Sequence, residues 1–453
     1  MKLTHALLLA VPVAALALTS AHDASACGGC FVPPEEDTQV TGHRMLLSVS
    51  KTETTLWDQI TYTGNPSSFA WILPTKGIVD VGLSSDALFA FVEQATTVYV
   101  QPPPINCPGP PDGCNYPGAL DGAGAGTGSA GGGGGSAGGV TVTAQATVGP
   151  YETVQLKSND PAALKTWLTM HNFSVPPDVQ PIIDAYVADH FDFLALKLVP
   201  GKGLDAMRPV RVTTPGASPT LPLRMVAAGT GAVTPITLWV LGEGRYETAN
   251  FDNFTIDHSA VIWNWNTQSS TYTPLKDAGF AKSGGLAWLT EATRPTSSFE
   301  LTNNLIQVAQ QIPQQSGYGD ANGIGAVDEA TADADKLLGN INPASLWITR
   351  MHAELPRAAL GKDLEVGASV TQSQIASFIQ TTVAIGTPPP CPVYDCGGST
   401  DPGGFFGKGV GRSSGSTSKC DVSMGSTRDS GAMTLGGLGA LVALSMIRRR
   451  KSR

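Results

Sequence analysis

Seven cysteines carry most of the chemistry this sequence announces: Cys27, Cys30, Cys107, Cys114, Cys391, Cys396 and Cys420. Six fall in close pairs, and in an exported chain close pairs read as small disulfide loops. The spacing favours Cys107–Cys114 and Cys391–Cys396, each closing a proline-bearing loop, although connectivity does not follow from spacing alone. Cys27-Gly-Gly-Cys30 has three readings: a constrained disulfide, half of a metal site, or a redox couple. A redox couple sits at a helix N-terminus after a strand, and a zinc site needs two more ligands. The chain holds no second C-x-x-C, so the structural disulfide is the favoured reading. Cys420 is left odd, which marks it for intermolecular pairing or modification.

The remaining chemical residue types form no strong pattern. Beyond residue 26 the histidines are His43, His171, His190, His258 and His352. Asp189-His190 with Asp192, and Asp252 to His258, are the nearest clusters, and neither has the spacing of a zinc-protease helix. Structural or solvated histidines are expected. Tyr318 to Gly323 is similar to a calcium loop, but Ile324 and Thr331 stand where oxygen ligands are required. The acidic run Asp328 to Asp335 reads as the solvated face of a helix. Gly134-Gly135-Ser136-Ala137-Gly138 fits the nucleophile-elbow spacing only because the tract around it is almost all small residues. Gly201-Lys202-Gly203 lacks the spacing of a phosphate loop. Trp263 and Trp265, with Trp71, Trp239 and Trp288, could line a carbohydrate platform, although such residues are more often core. No catalytic residue, metal site or cofactor is therefore assigned.

The two ends say where the molecule goes. Lys2, the apolar run Ala6 to Leu18 and Ala24-Ser25-Ala26 before Cys27 make a secretory signal peptide over residues 1–26. Its apolar core rises only about 20 Å as a helix, short of a span of about 30 Å. The competing lipoprotein reading of Cys27 wants a bulky aliphatic residue where Ala24 stands. Gly431 to Ile447 carries no charge, and Arg448, Arg449, Arg450, Lys451 and Arg453 follow. That reads as a transmembrane helix over 431–447 with a basic cytoplasmic tail over 448–453 and the body outside. The Cys420 spacer, apolar helix and arginine cluster together resemble the myxobacterial C-terminal sorting tail, which implies cutting near the cysteine and lipid on it.

Net charge is −9, and no basic cluster lies outside the tail. Nucleic acid and anionic lipid headgroups demand neutralising Lys and Arg, so no nucleic acid is expected. The expected partners are the membrane, through the C-terminal helix, and an unidentified extracellular or envelope component.

The elements between the ends mix strands and helices without a βαβ rhythm. Strands are expected at 43–49, 54–63, 69–73, 98–100, 140–147, 191–199, 207–213, 221–228, 233–241, 260–265 and 346–355. Helices are expected from Ser84 or Ser85 to Ala95 and over 161–171, 177–189, 284–293, 299–311, 327–338 and 371–383. The class is α+β, with mostly antiparallel sheets, in one exported domain over 27–387. Residues 102–139 form a Pro/Gly-rich insert expected to be disordered, and 388–430 a Pro/Gly/Ser-rich stalk.

The segments Ala26-Cys27-Gly28-Gly29-Cys30-Phe31, Ser67 to Pro74 (SSFAWILP), Pro209-Val210-Arg211-Val212-Thr213 and Ile348-Thr349-Arg350-Met351-His352 resemble the exported bacterial family called domain of unknown function 2330. That resemblance implies a surface or periplasmic location and supplies no reaction, cofactor or catalytic residue. The expected function is an exported, surface-anchored envelope protein, a non-enzymatic binding or structural module. The alternative is an exported hydrolase whose site is assembled from sequence-distant residues.

Overall fold

The computed structural model describes residues 30–31, 39–63, 70–108, 141–171, 179–199, 207–227, 232–316, 324–391, 393–394 and 422–423. The residues expected to form the signal peptide, most of those of the insert, the calcium-like loop over 318–323, most of those of the expected stalk and the segment expected to span the membrane lie outside them. No helix among the described residues is long and apolar enough to cross a membrane. By internal contacts the chain divides into two units, 1–103 with 121–387, and 104–120 with 388–453.

The first unit is an α+β body. It opens with β1 (Cys30–Phe31), β2 (Gln39–Val49), β3 (Glu53–Thr63), β4 (Ala70–Thr75) and β5 (Asp80–Leu83). Helix α1 (Asp86–Thr96) and β6 (Tyr99–Gln101) follow. Beyond the insert come β7 (Thr141–Val148) and β8 (Tyr151–Lys157), joined through Gly149 at φ +56. Next are α2 (Pro161–Met170), α3 (Gln180–Ala188), β9 (Asp192–Leu198), β10 (Val210–Pro215), β11 (Thr220–Leu221) and α4 (Leu223–Val226). Pro161 enters α2 at its first turn, where its missing N–H costs nothing, and Asp160 caps Ala162 N.

The chain continues with β12 (Val233–Glu243), β13 (Tyr246–Thr248), β14 (Asp252–Phe254), β15 (Ile262–Asn264), β16 (Ser269–Ser270), α5 (Tyr272–Lys282) and β17 (Ala287–Pro295). The first unit ends with α6 (Ser298–Ser316), α7 (Ile324–Leu338), β18 (Leu346–Pro356), β19 (Leu364–Ala368), β20 (Phe378–Gln380) and β21 (Val383–Ile385).

Eight strands form the central sheet, in the order β14-β17-β18-β12-β2-β3-β10-β5. The pairs β12/β2 and β14/β17 are parallel and the rest antiparallel. Strict alternation gives this sheet two apolar faces. Leu46, Trp57, Trp239, Leu241, Leu346 and Ile348 lie under α1, α6 and α7. Met45, Leu47, Leu238, Val240, Met351 and Leu355 point the other way, onto α4 and the small sheet β11-β19-β13. A second sheet, β1-β4-β9-β8-β7, buries one face under α2 and α3 and packs the other against Val210 and Val212 of β10.

Three expected elements are different in the structure. No helix runs over 284–293: the stretch leads into strand β17 from Ala287. Gly284 and Gly285, both at positive φ, end α5, and the β-branched and aromatic run after them pairs with β18. The strand expected over 221–228 is the two-residue β11 followed by α4. The helix expected over 371–383 is extended chain: Ile375 bridges Thr293, and β20 pairs in parallel with β6.

The helix layer is fixed to the sheet by one buried carboxylate. Asp333 of α7 is 0% exposed. Its Oδ1 accepts from Trp57 Nε1 at 2.8 Å and Arg211 Nη1 at 3.1 Å. Its Oδ2 accepts from Ser84 Oγ at 2.7 Å and Ser85 N at 3.1 Å. The acidic run is thus not simply a solvated face: Asp333 shares the inward side of α7 with Ala326, Ala330 and Leu337. Asp333→Ala would leave a guanidinium and three further donors without their acceptor. It is expected to cost about 3–5 kcal/mol in urea denaturation, whereas Asp335→Ala on the exposed side of α7 should change stability by less than about 0.5 kcal/mol.

Candidate functional site

On β18 the apolar face under the helices turns polar towards the strand's end, where Arg350, His352 and Glu354 follow Ile348. Across from Arg350 the ladder between β17 and β18 slips between Thr290 and Ala292. A bulge of this kind re-aims a side chain. Here Glu291 meets Arg350 Nε at 2.6 Å. Arg350 Nη1 donates to Glu93 of α1 at 2.7 Å. The other Glu93 oxygen accepts from Arg44 Nη2 at 3.1 Å, and Arg44 also donates to Gln59 and to the Phe89 carbonyl.

Both guanidiniums lie over the Trp239 ring, at 5.5 and 5.2 Å from its centroid, while Trp239 Nε1 donates to Thr96 at 2.8 Å. Cation–π attraction therefore adds to three charge-assisted pairs. Burial works to raise the Glu93 carboxyl, but the bonds from Thr97 and Arg350 and the charges of Arg350 and Arg44 win, holding it below the usual range.

Beside this clamp, His352 Nε2 stands 3.3 Å from Glu354 Oε1, which also receives Lys276 Nζ at 3.1 Å. Burial lowers the imidazole's basicity, with Lys276 adding to the fall and Glu291 opposing it, so the ring is neutral at pH 7. Phe280 of α5 packs edge-on against it. Burial, with the Glu291 charge, raises the Tyr272 hydroxyl well above its ordinary range. Arg44, Arg350, Glu93 and Glu291 are all engaged with one another, so the field locks α1 to β2, β17 and β18. It leaves His352, beside Glu354, as the group closest to acid–base chemistry.

A second charged cluster surrounds Asp333. Arg208 Nη1 donates to Glu329 of α7 at 2.8 Å. Burial pushes the Glu329 carboxyl up to about 7 against the pull of Arg208, and the charges of Asp333 and Asp86 add to the rise.

Of the cysteines, Cys27, Cys114, Cys396 and Cys420 lie outside the described residues. Cys30 stands opposite Trp71 in the β1/β4 register. The favoured pairing is corrected: Cys107 is bonded to Cys391, 284 residues away, with Cα atoms 5.4 Å apart. This removes both Cys107–Cys114 and Cys391–Cys396. The cause is topological. The parallel pairing of β6 with β20 starts both cysteine-bearing segments from neighbouring strands, which no local spacing reveals.

The histidines scatter. His43 is buried with Nδ1 3.3 Å from Asp58, and its Nε2 has no partner among the described residues. His171 stacks on Trp167, His190 takes φ +60 after α3, and His258 sits in a short 3-10 turn. Trp71, Trp239 and Trp288 are buried core residues, and Trp263 meets Trp265 edge-on, so these five make no shared platform. No group of three or more His, Cys, Asp or Glu side chains among the described residues could hold a metal ion.

One cleft stands apart from the charged hubs. It has a volume of about 560 Å³ and lies between α5 and the segment 252–257, with Ala287 at its edge. Sequence reading missed it because α5 itself was missed.

The profile described as "Uncharacterized protein conserved in bacteria (DUF2330)" matches residues 21–365. No curated protein and no solved structure matches the chain.

Two outcomes follow from this geometry. The raised Glu329 carboxyl binds its proton more tightly in the folded state, so its contribution is present below the unfolded value near 4.5 and lost as pH rises through about 7. Glu329→Gln should therefore gain stability over the parent between pH 5 and 8, by on the order of 2 kcal/mol, in denaturant melts across that range. A non-reducing digest should yield Cys107 and Cys391 in one cross-linked peptide, and replacing both with Ser should cost about 2–4 kcal/mol.

Proposed function

We propose, from the premise that the chain belongs to the bacterial family DUF2330, that it is exported and held at the cell surface, where its body serves as a non-enzymatic binding or structural module. The observation that carries this reading is the long-range disulfide between Cys107 and Cys391. Such a bond persists in oxidising compartments and is rare where thiols are kept reduced. It agrees with the leader-like residues 1–26 and with the apolar segment 431–447 that precedes the arginine cluster.

The charged interior supports a module more than a catalyst. Arg44, Arg350 and Arg211 direct donors at Glu93, Glu291, Asp333 and backbone carbonyls, an arrangement that fixes elements in place. A second reading, an exported hydrolase, rests on His352: a neutral, partly buried imidazole beside Glu354 and near Glu291 has the character of a general base.

Cell fractionation followed by mass spectrometry of the intact protein tests the location. The expected species is in the envelope fraction, begins at Cys27 and has lost residues 431–453 or keeps them as an anchor. A chain starting at Met1, free in the cytoplasm with reduced cysteines, would overturn the proposal. Hydrolysis of ester or peptide reporters that disappears in His352→Gln would instead favour the second reading.

A further inference from the structure

The cleft beside α5 has the features of a ligand site that the charged hubs lack. A volume of about 560 Å³ falls within the range of small-molecule sites. Its apolar lining comes from Phe254 and Ile256 on one side and Leu275 of α5 on the other. Three charged side chains share the same cleft: Asp252, Asp257 and Lys282.

Their states differ from those of most charges in the body. Among the described residues, Asp252 and Lys282 have no ion pair or side-chain hydrogen bond, although both signs occur within one cleft. Asp257 caps a short 3-10 turn through one oxygen, Oδ1, which accepts from Ser259 N and Oγ. Those bonds hold its carboxyl below the usual range, so it is ionised at neutral pH with its second oxygen uncommitted. All three side chains are exposed, which leaves charges of both signs open to an incoming group beside an apolar lining.

The lining is also shaped. A Cβ added at Gly279 would lie 2.2 Å from the Phe254 ring. Glycine inside a helix costs about 1 kcal/mol relative to alanine, and here its absent side chain lets the ring settle on α5. Phe254 in turn packs edge-on against Phe280, which seats it from behind.

We propose that this cleft binds a zwitterionic amino compound, a free amino acid or a short peptide with an apolar side chain. Its ammonium pairs with Asp252 and Asp257, its carboxylate with Lys282, and its side chain lies against Phe254, Ile256 and Leu275. This rests on the reading of the body as a binding module and names that module's ligand class. It is independent of the location, so a failed fractionation experiment leaves it standing.

Isothermal titration of the full-length protein tests it, with L-leucine, Leu-Leu, N-acetyl-leucine amide and maltose as probes. Leucine or Leu-Leu should bind, and which one binds tells a free amino acid from a peptide. The uncharged amide should bind at least about tenfold more weakly, as expected when charge-assisted bonds are lost. Asp252→Asn and Lys282→Gln, both on the surface and tolerant of change, should each weaken the charged probe by a similar factor while the circular dichroism spectrum stays that of the parent. Gly279→Ala, which displaces Phe254, should weaken both the leucine and the amide probes. Saturation by neither charged probe at millimolar concentration, equal binding of leucine and its amide, tighter binding of maltose, or unchanged affinity in both charge variants would each overturn the proposal.

Discussion

A carboxylate sealed from water and surrounded by donors organises this body. Asp333 leaves the solvated side of its helix and accepts from one indole, one guanidinium, one hydroxyl and one backbone amide. Four donors from three places in the chain converge on it: β3, β10, and the turn that opens α1. Burying a charge is costly unless it is both paired and fully hydrogen-bonded, so only one docking of α7 on the sheet is acceptable. Gly82, opposite Arg211 across the β5/β10 ladder, completes the arrangement. A Cβ there would lie 2.7 Å from the Arg211 guanidinium and push it from its path to Asp333.

The same device recurs at the other end of the helix layer. Arg350 and Arg44 stand on the sheet and meet Glu93 of α1, with Trp239 below both guanidiniums. Leu46, Trp239, Leu241, Leu301, Leu305 and Leu337 supply non-directional burial between these two points. Hydrophobic contact would tolerate a helix sliding by a turn; a guanidinium fork between two carboxylates does not. The apolar layer supplies adhesion and the two charged hubs supply register.

Much of the fold could be read from periodicity. The paired strands β2 and β3, helices α1, α6 and α7, and strands β12 and β18 all follow from alternation and helical spacing, although Ser85, at the N-cap of α1, makes no side-chain cap bond and Ser84 Oγ donates to Asp333 instead. The misreadings have local causes. Ser283-Gly284-Gly285 looks like a helix start but is the end of α5, whose weakly amphipathic sequence hid it, and the strand after it was misread in consequence. Residues 371–383 have helix-compatible composition but are held extended by pairing with β6 and by the Gln372 amide bonded to the Arg245 backbone. The disulfide partner of Cys107 was beyond reach because it depends on which strands lie side by side. Asp333, by contrast, was legible: it stands three residues after Ala330 and four before Leu337, on the stripe that must face inward. The charge of the run around it obscured that spacing.

Arg211 and Arg350 come from the two sheet segments quoted for the resemblance, and each is the sheet's partner for an acid on a helix: Asp333 on α7, Glu93 on α1. Their role is to fix how the layers register, which any activity carried by this body would require but none is specified by. Structure of this kind consumes charge. With so few ionisable residues and many of the arginines and acids on the central sheet spent on register, the groups left free to recognise something else are few. The cleft at α5 is a place where opposite charges remain unspent beside apolar surface. The division runs through α5 itself: Lys276 and Phe280 face Glu354 and His352, while Leu275, Gly279 and Lys282 border the cleft. One helix thus closes the structural field with one side and opens the recognition surface with the other.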